Sequence, residues 1–133
     1  MIDPELLLDL LAGERVTRIV LVPTLLRVLL EHIPDLDARV PMLKLWTLSG
    51  EYLPLDLAKD FRTALPTAAL LNLYGSSEVA GDATCYQVGE LDDLGTVPIG
   101  KPIANARVYI LDDFVQPVPV GVPGTLYVGG DCL

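Results

Sequence analysis

Residue types that often carry chemistry are scarce in this sequence. The two cysteines, Cys85 and Cys132, are far apart and lack C-x-x-C spacing, so neither a disulfide framework nor a zinc site is expected. This cysteine usage fits a reducing, cytoplasmic setting. The only histidine, His32, falls at a predicted helix end, where a cation suits the helix dipole. We therefore expect it to have a structural role.

Positive charge and long apolar runs are also scarce. Nine Lys and Arg face 18 Asp and Glu, for a net charge of −9, which repels nucleic-acid phosphates and anionic lipid surfaces. We expect neither a nucleic-acid nor a membrane partner. Arg18, Arg27 and several prolines interrupt the leucine-rich segments well before a bilayer is spanned. The start of the chain, MIDPE, lacks the basic residues of a signal peptide.

What the sequence does contain is enough apolar material for one core. The chain has 133 residues, of which 51% are hydrophobic and 20% charged, a composition typical of a globular domain rather than a disordered segment. One ordinary domain with one core is the expected scale.

Hydrophobic periodicity predicts an α/β arrangement in the first part of the chain. A helix is expected at about 4–12, and apolar runs at 16–22, 43–48 and 68–73 predict strands that alternate with helices at 24–32 and after Pro54. Such alternation requires crossover connections, which make a sheet parallel and covered on both faces. We therefore predict a flavodoxin-like, doubly wound parallel sheet over residues 1–83.

The pattern changes after about residue 83. Short strands are predicted at 84–88, 107–111 and 125–128, separated by turns rich in glycine and proline. Residues 116–124 carry three prolines and are expected to form an extended connection or an edge rather than a central strand. Residues 84–133 are therefore predicted to be a β-rich, barrel-like segment, and the acidic pairs 92–93 and 112–113 to be solvated turn carboxylates.

The segment 72–78 (NLYGSSE) directly follows a predicted strand. Gly75 permits a tight turn, hydroxyl and backbone N–H groups can hold phosphate oxygens, and the Glu78 carboxylate can hold Mg²⁺. Tyr74 offers a flat ring on which a base can stack. In isolation, so short a motif is better explained as a Gly-Ser turn with an exposed glutamate.

Three sequence blocks resemble one superfamily, the carboxylate-adenylating enzymes. The blocks are 48–54 (LSGEYLP), 72–78 (NLYGSSE), and 98–105 (PIGKPIAN) with 121–130 (GVPGTLYVGG), in the order and spacing of that superfamily. It comprises the adenylation domains of nonribosomal peptide synthetases, acyl- and aryl-CoA synthetases, and luciferases. The last block is most similar to the peptide-synthetase branch.

The resemblance implies an ATP-dependent ligase. A substrate carboxylate would attack the α-phosphate of ATP with Mg²⁺ present, giving an acyl-adenylate and pyrophosphate. The acyl group would pass to the phosphopantetheine thiol of a carrier protein, or to coenzyme A if the chain belongs to the CoA synthetases. The substrate would be an amino acid or a related carboxylic acid, whose identity the sequence leaves open.

Carried over by position, the resemblance also implies site residues. Ser77 would contact phosphate as a catalytic residue, and Glu78 would bind the Mg²⁺. Nucleotide contacts fall on Ser49, Gly50, Glu51, Asn72, Leu73, Tyr74, Gly75 and Ser76. The walls of the acid pocket fall on Val20, Trp46, Leu48, Leu73, Gly81 and Asp82. For Trp46 and Leu48 a plain strand-core position is the alternative.

Parts of the superfamily pattern are not found in these 133 residues. The glycine-rich phosphate loop with its lysine would lie upstream, and the ribose-binding aspartate, the hinge and the catalytic lysine downstream. We therefore expect an internal fragment, truncated within its β-rich segment, that is inactive alone and able to self-associate through its exposed apolar surface. A short non-catalytic protein that binds a nucleotide or a partner remains a further alternative.

Overall fold

Helices and strands alternate through the first 76 residues. The computed structural model describes residues 3–79, 81–91 and 95–131; Asp92, Asp93 and Cys132 lie outside these ranges. The helices are α1 (Pro4–Gly13), α2 (Pro23–His32), α3 (Leu36–Arg39) and α4 (Leu55–Ala64), with a 3₁₀ turn at Ser77–Val79. The strands are β1 (Arg18–Leu21), β2 (Leu45–Leu48), β3 (Ala69–Ser76), β4 (Gly81–Gln87), β5 (Lys101–Pro102), β6 (Ala106–Leu111) and β7 (Thr125–Gly130).

Proline marks the start of each of the three ten-residue helices. In α1, Pro4 occupies the first turn and the Asp3 carboxylate accepts a hydrogen bond from the Glu5 amide at 3.0 Å. Pro23 opens α2 and Pro54 is the N-cap of α4. Proline is tolerated at these positions because its φ angle suits the first turn, where no intrahelical N–H is required.

The main sheet has five strands in the order β1-β2-β3-β4-β5. The first three strands are parallel, and β4 and β5 are each antiparallel to their preceding neighbour. Both parallel crossovers move across the sheet in the same direction. Because such crossovers are right-handed, they place their helices on the same face. The predicted α/β fold with a parallel sheet is confirmed for β1 to β3, whereas β4 and β5 extend that sheet with antiparallel pairings.

One face of this sheet forms the core. Trp46, Leu48 and Leu70 are almost completely buried, in one cluster with apolar residues of all four helices such as Leu26 and Phe61. The opposite face, here called the open face, carries the alternate residues of the strands: Arg18, Val20, Leu45, Thr47, Leu71 and Leu73. The expected helical cover of both faces is not found in the described residues, where the crossovers wind in one direction only.

The second part of the described chain forms a two-stranded sheet. Strands β6 and β7 pair antiparallel from Ala106–Gly130 to Leu111–Thr125, and within the described residues no barrel closes. The predicted boundary between residues 83 and 84 falls inside β4. The proline-containing segment after β6 runs extended beside it, with the Val118 amide donating to the Ile110 carbonyl at 3.1 Å, as the prolines predicted.

Residues given structural roles from the sequence lie where expected. A ring nitrogen of His32 is 3.0 Å from the Val28 carbonyl oxygen at the end of α2. The Asp112 carboxylate accepts hydrogen bonds from the amides of Phe114 and Gln116 in a turn. Across the described ranges, every helix is too short or too polar to cross a bilayer.

Candidate nucleotide and substrate site

A cleft of about 550 Å³ opens at the carboxyl ends of β2 and β3. In sheets with parallel strands and crossover helices, ligands bind at this end, where loops diverge from the strands. Three segments line the cleft: residues 50–53 after β2, residues 72–75 of β3, and residues 96–99 before β5. Gly50, Glu51 and all four of Asn72 to Gly75 were expected here, whereas Ser49 and Ser76 are not lining residues.

Side-chain hydrogen bonds hold the wall formed by residues 96–99. Buried Asn72 donates from Nδ2 to the Pro98 carbonyl at 2.9 Å, and Thr84 donates from Oγ1 to the Ile99 carbonyl at 2.7 Å. Sequence reasoning did not assign this wall to the site. In the sequence, only the position of residues 98 and 99 within a family-like block pointed to this wall. The hydrogen bonds that attach it to β3 and β4 are tertiary contacts, which sequence spacing does not predict.

The floor of the cleft requires glycine at position 75. The register of β3 and β4 shifts between Tyr74 and Gly75, and a Cβ on Gly75 would lie 1.8 Å from the Gly81 carbonyl oxygen. A side chain at this position would force the two strands apart. The close approach fixes the backbone next to Tyr74, whose ring is 40% exposed in the cleft.

Glu78 lies in the 3₁₀ turn that follows β3, next to Ser77, and both side chains are exposed. A hydrogen bond from the Ser76 side chain lowers the pKa of the Glu78 carboxyl, and its own backbone amide adds to this effect. The carboxylate is therefore ionised at neutral pH. Magnesium commonly takes one or two protein carboxylates and completes its shell with water and substrate phosphates, so Glu78 fits the role of a single protein ligand.

Several expected pocket residues lie on the open face or at its edge. Val20 is 68% exposed there, and Leu73 is half-buried. The Ser49 hydroxyl donates to Asp82 Oδ1 at 2.6 Å, which joins the end of β2 to the start of β4 across β3.

Burial raises the pKa of the Cys85 thiol, and the nearby Asp82 charge adds to the rise. Gly81, with φ +123°, precedes Asp82.

Trp46 and Leu48 do not belong to this group. Both are completely buried on the helix-covered face, where the Trp46 ring contacts Phe61 edge-on with centroids 5.8 Å apart. Its Nε1 donates to the Leu43 carbonyl at 3.3 Å. The pocket assignment of these two side chains is corrected in favour of strand core. Strand side chains alternate, so Thr47, which sequence reasoning missed, takes the open-face position instead.

Glu51 lines the cleft, and its carboxylate is bound to the start of α2. One carboxylate oxygen accepts from the Thr24 amide and the other from the Thr24 hydroxyl, both at 3.0 Å. The residue expected at the edge of a base therefore caps the start of α2 with its carboxylate.

Comparison with known proteins decides the family. The profile described as "AMP-binding enzyme" matches residues 1–133. The chain belongs to the AMP-binding enzyme family. Its resemblance to adenylation domains of nonribosomal peptide synthetases is confirmed by the relatives described next.

Two curated relatives of this AMP-binding chain are each 40% identical to it. Indigoidine synthase of Dickeya dadantii matches over 132 residues, covering 97% of the chain and 9% of that protein. Phosphinothricin tripeptide synthetase PhsB of Streptomyces viridochromogenes matches over 130 residues, covering 96% and 10%. The chain thus spans about a tenth of the length of either relative.

Solved structures share the fold. CmiS6 superposes with a TM-score of 0.90 at 31% identity, covering 98% of this AMP-binding chain and 32% of that one. FmoA3, a nonribosomal peptide synthetase crystallised with α-methyl-L-serine-AMP, superposes with a TM-score of 0.85 at 30% identity, covering 98% and 15%. The described fold is that of an adenylation domain.

Proposed function

We propose that this chain forms part of an adenylation domain that activates an amino acid, or a related carboxylic acid, as its acyl-AMP. The observation that carries the proposal is the cleft lined by Asn72, Tyr74 and Gly75, on the segment that leads within three residues to the ionised carboxylate of Glu78. Support comes from FmoA3, a relative solved both with AMPPNP and with an aminoacyl-AMP.

The chemistry assigns the residues to two ends of the nucleotide. The Tyr74 ring stacks on the adenine, while Asn72 and the backbone of the 49–51 turn face its edge. Beyond the bulge at Gly75, the hydroxyls of Ser76 and Ser77 contact phosphate oxygens, and Glu78 holds Mg²⁺. When bound, the ion neutralises charge on the phosphates.

In the proposed reaction, an oxygen of the substrate carboxylate bonds to the α-phosphorus as the bond from that phosphorus to the pyrophosphate oxygen breaks. Both groups are anionic, so catalysis depends on holding them together and on offsetting their charge. The β3–β4 junction helps to hold the two reactants together, because it fixes the nucleotide cleft in position relative to the open face that receives the acid.

The open face receives the acid in this proposal. Val20 and Leu73 supply apolar wall, Thr47 lies largely buried between them on the same face, and the Ser49–Asp82 pair supplies one charged spot. Ser49 hydrogen-bonds only one of the two Asp82 oxygens. The second oxygen can accept from a substrate, so the pocket favours an acid whose side chain carries a hydrogen-bond donor, above all a basic group.

The acceptor of the acyl group is proposed to be the phosphopantetheine thiol of a carrier domain in the cytoplasm. PA1221 is described as a nonribosomal peptide synthetase protein with adenylation and PCP domains; it superposes with a TM-score of 0.89 at 25% identity, covering 100% of this chain and 27% of that one. Coenzyme A is the alternative acceptor.

The test uses the complete enzyme that contains these residues. Exchange of labelled pyrophosphate into ATP is measured with a panel of basic, hydroxylated and apolar amino acids and with aryl acids. Exchange that depends on one class of acid supports the proposal, and its absence from a folded enzyme refutes it. Thioester formed with carrier protein but not with coenzyme A identifies the acceptor.

A further inference from the structure

Helix α2 begins without a cap of its own. Its N-cap residue, Val22, provides no side-chain hydrogen bond, and the first turn contains no acidic residue. Pro23 has no N–H, while the amides of Leu25 and Leu26 both reach the Val22 carbonyl. The Thr24 amide finds its acceptor in the Glu51 carboxylate. A negative charge at this position is favourable, because the start of a helix carries partial positive charge.

Glu51 supplies that cap from 27 residues away. Its two oxygens bind two groups of one residue, the Thr24 amide and hydroxyl, each at 3.0 Å. This arrangement fixes the orientation of the carboxylate as well as its distance. The loop backbone before Glu51 also lies close to the start of α2. Gly50 has φ +85°, and a Cβ on it would lie 3.7 Å from Val22 Cγ1.

The same loop forms one lip of the cleft. Residues 50–53 line it directly, and the Tyr52 hydroxyl is 3.0 Å from the Thr96 hydroxyl on the opposite wall. Tyr52 is 67% exposed, so the hydroxyl pair alone is a weak restraint in water. The Glu51–Thr24 contact is also exposed to solvent, but it consists of two hydrogen bonds to a charged acceptor, which makes it the firmer of the two.

We propose that Glu51 is a positioning residue that ties the 50–53 lip to the start of α2 and so holds the cleft in the shape that binds ATP. This inference rests on the proposed function, because it takes the cleft to be the nucleotide site. Glu51 itself does not contact the nucleotide through its side chain.

The test compares variants of the complete enzyme by pyrophosphate exchange, by calorimetric binding of ATP with Mg²⁺, and by thermal unfolding. Loss of a helix cap of this kind corresponds to about a three- to tenfold change in an equilibrium constant. We therefore expect Glu51→Ala to raise the KM and Kd for ATP about three- to tenfold, with the KM for the amino acid unchanged. Glu51→Gln keeps the shape and can bond both Thr24 groups but lacks the charge, so its KM and Kd for ATP are expected to fall between those of wild type and Glu51→Ala.

Three further variants separate a tether from a general loss of stability. Thr24→Val keeps the amide and removes the hydroxyl, and the double variant Glu51→Ala/Thr24→Val is expected to be no worse than Glu51→Ala alone, because the two residues act through one contact. Glu31→Ala removes an exposed carboxylate from the same helix, and wild-type values are expected.

Each result bears on the inference. A Glu51→Ala enzyme that melts earlier but binds ATP normally overturns the positioning role, as does an equal rise in both KM values. If the wild-type enzyme binds ATP but exchanges no pyrophosphate, the proposed reaction fails and the Kd series still decides the role of Glu51. Absence of ATP binding by the folded wild type refutes both.

Discussion

Trp46 provides a quantitative test of which face of the sheet is the core. The ring is completely buried, contacts Phe61 edge-on and donates to the Leu43 carbonyl. At about 25 cal/mol per Å², the area a buried tryptophan removes from water, roughly 200 Å², corresponds to about 5 kcal/mol. Measured Trp→Ala losses are similar, about 3–5 kcal/mol. Since a domain of this size is stable by only about 5–15 kcal/mol, Trp46→Ala should lose much of its folding free energy.

The assay is urea unfolding of the 133-residue chain. Circular dichroism is the appropriate signal, because Trp46 is the only tryptophan and its removal abolishes the fluorescence probe. With a denaturant slope of about 2 kcal/mol per M, a 4 kcal/mol loss lowers the urea midpoint by about 2 M. Val20→Ala, on the open face, is the matched control, with an expected change of about 0.5 kcal/mol or less. A Trp46→Ala chain as stable as the control, or one altered only in substrate choice within the complete enzyme, would refute the core assignment.

Three other substitutions test the site. Glu78→Gln in the complete enzyme should lower the pyrophosphate exchange rate by about 100-fold at unchanged stability. The pKa of Glu78 lies below the ordinary carboxyl value, so the wild-type carboxylate stays charged above that pKa and loses its charge only as pH falls through it. A pH–rate profile should show the exchange rate falling in that acidic range. Gly75→Ala should destabilise the chain by about 1–3 kcal/mol, because its Cβ meets the Gly81 carbonyl. Gly13→Ala, which has open space around it, is the control and should be neutral or slightly stabilising in the same urea assay. Asp82→Ala should shift the exchange profile toward apolar acids, and an unaltered profile would remove Asp82 from the pocket.

Local patterns alone were enough to predict most elements. The Asp3-Pro4 start of α1, the apolar runs of β1 to β3 and the proline-rich path after β6 depend on neighbours in sequence. Asn72 to Gly75, which the family resemblance assigned to nucleotide contact, do line the cleft, and their roles there stay a prediction. Helix α3 and the two-residue β5 were missed, since neither has enough residues to show a period.

The sequence by itself determined that alternate residues of β2 face opposite ways, because that follows from strand geometry. Which of the two sets the helices cover was decided only by the tertiary structure. Both crossovers wind in one direction and bring the helices onto the side of Trp46 and Leu48, which leaves Thr47 on the open side. The same holds for the Glu51–Thr24 contact. It joins residues that are 27 positions apart on separate elements. Local spacing cannot predict such a contact, because only folding brings the two residues together.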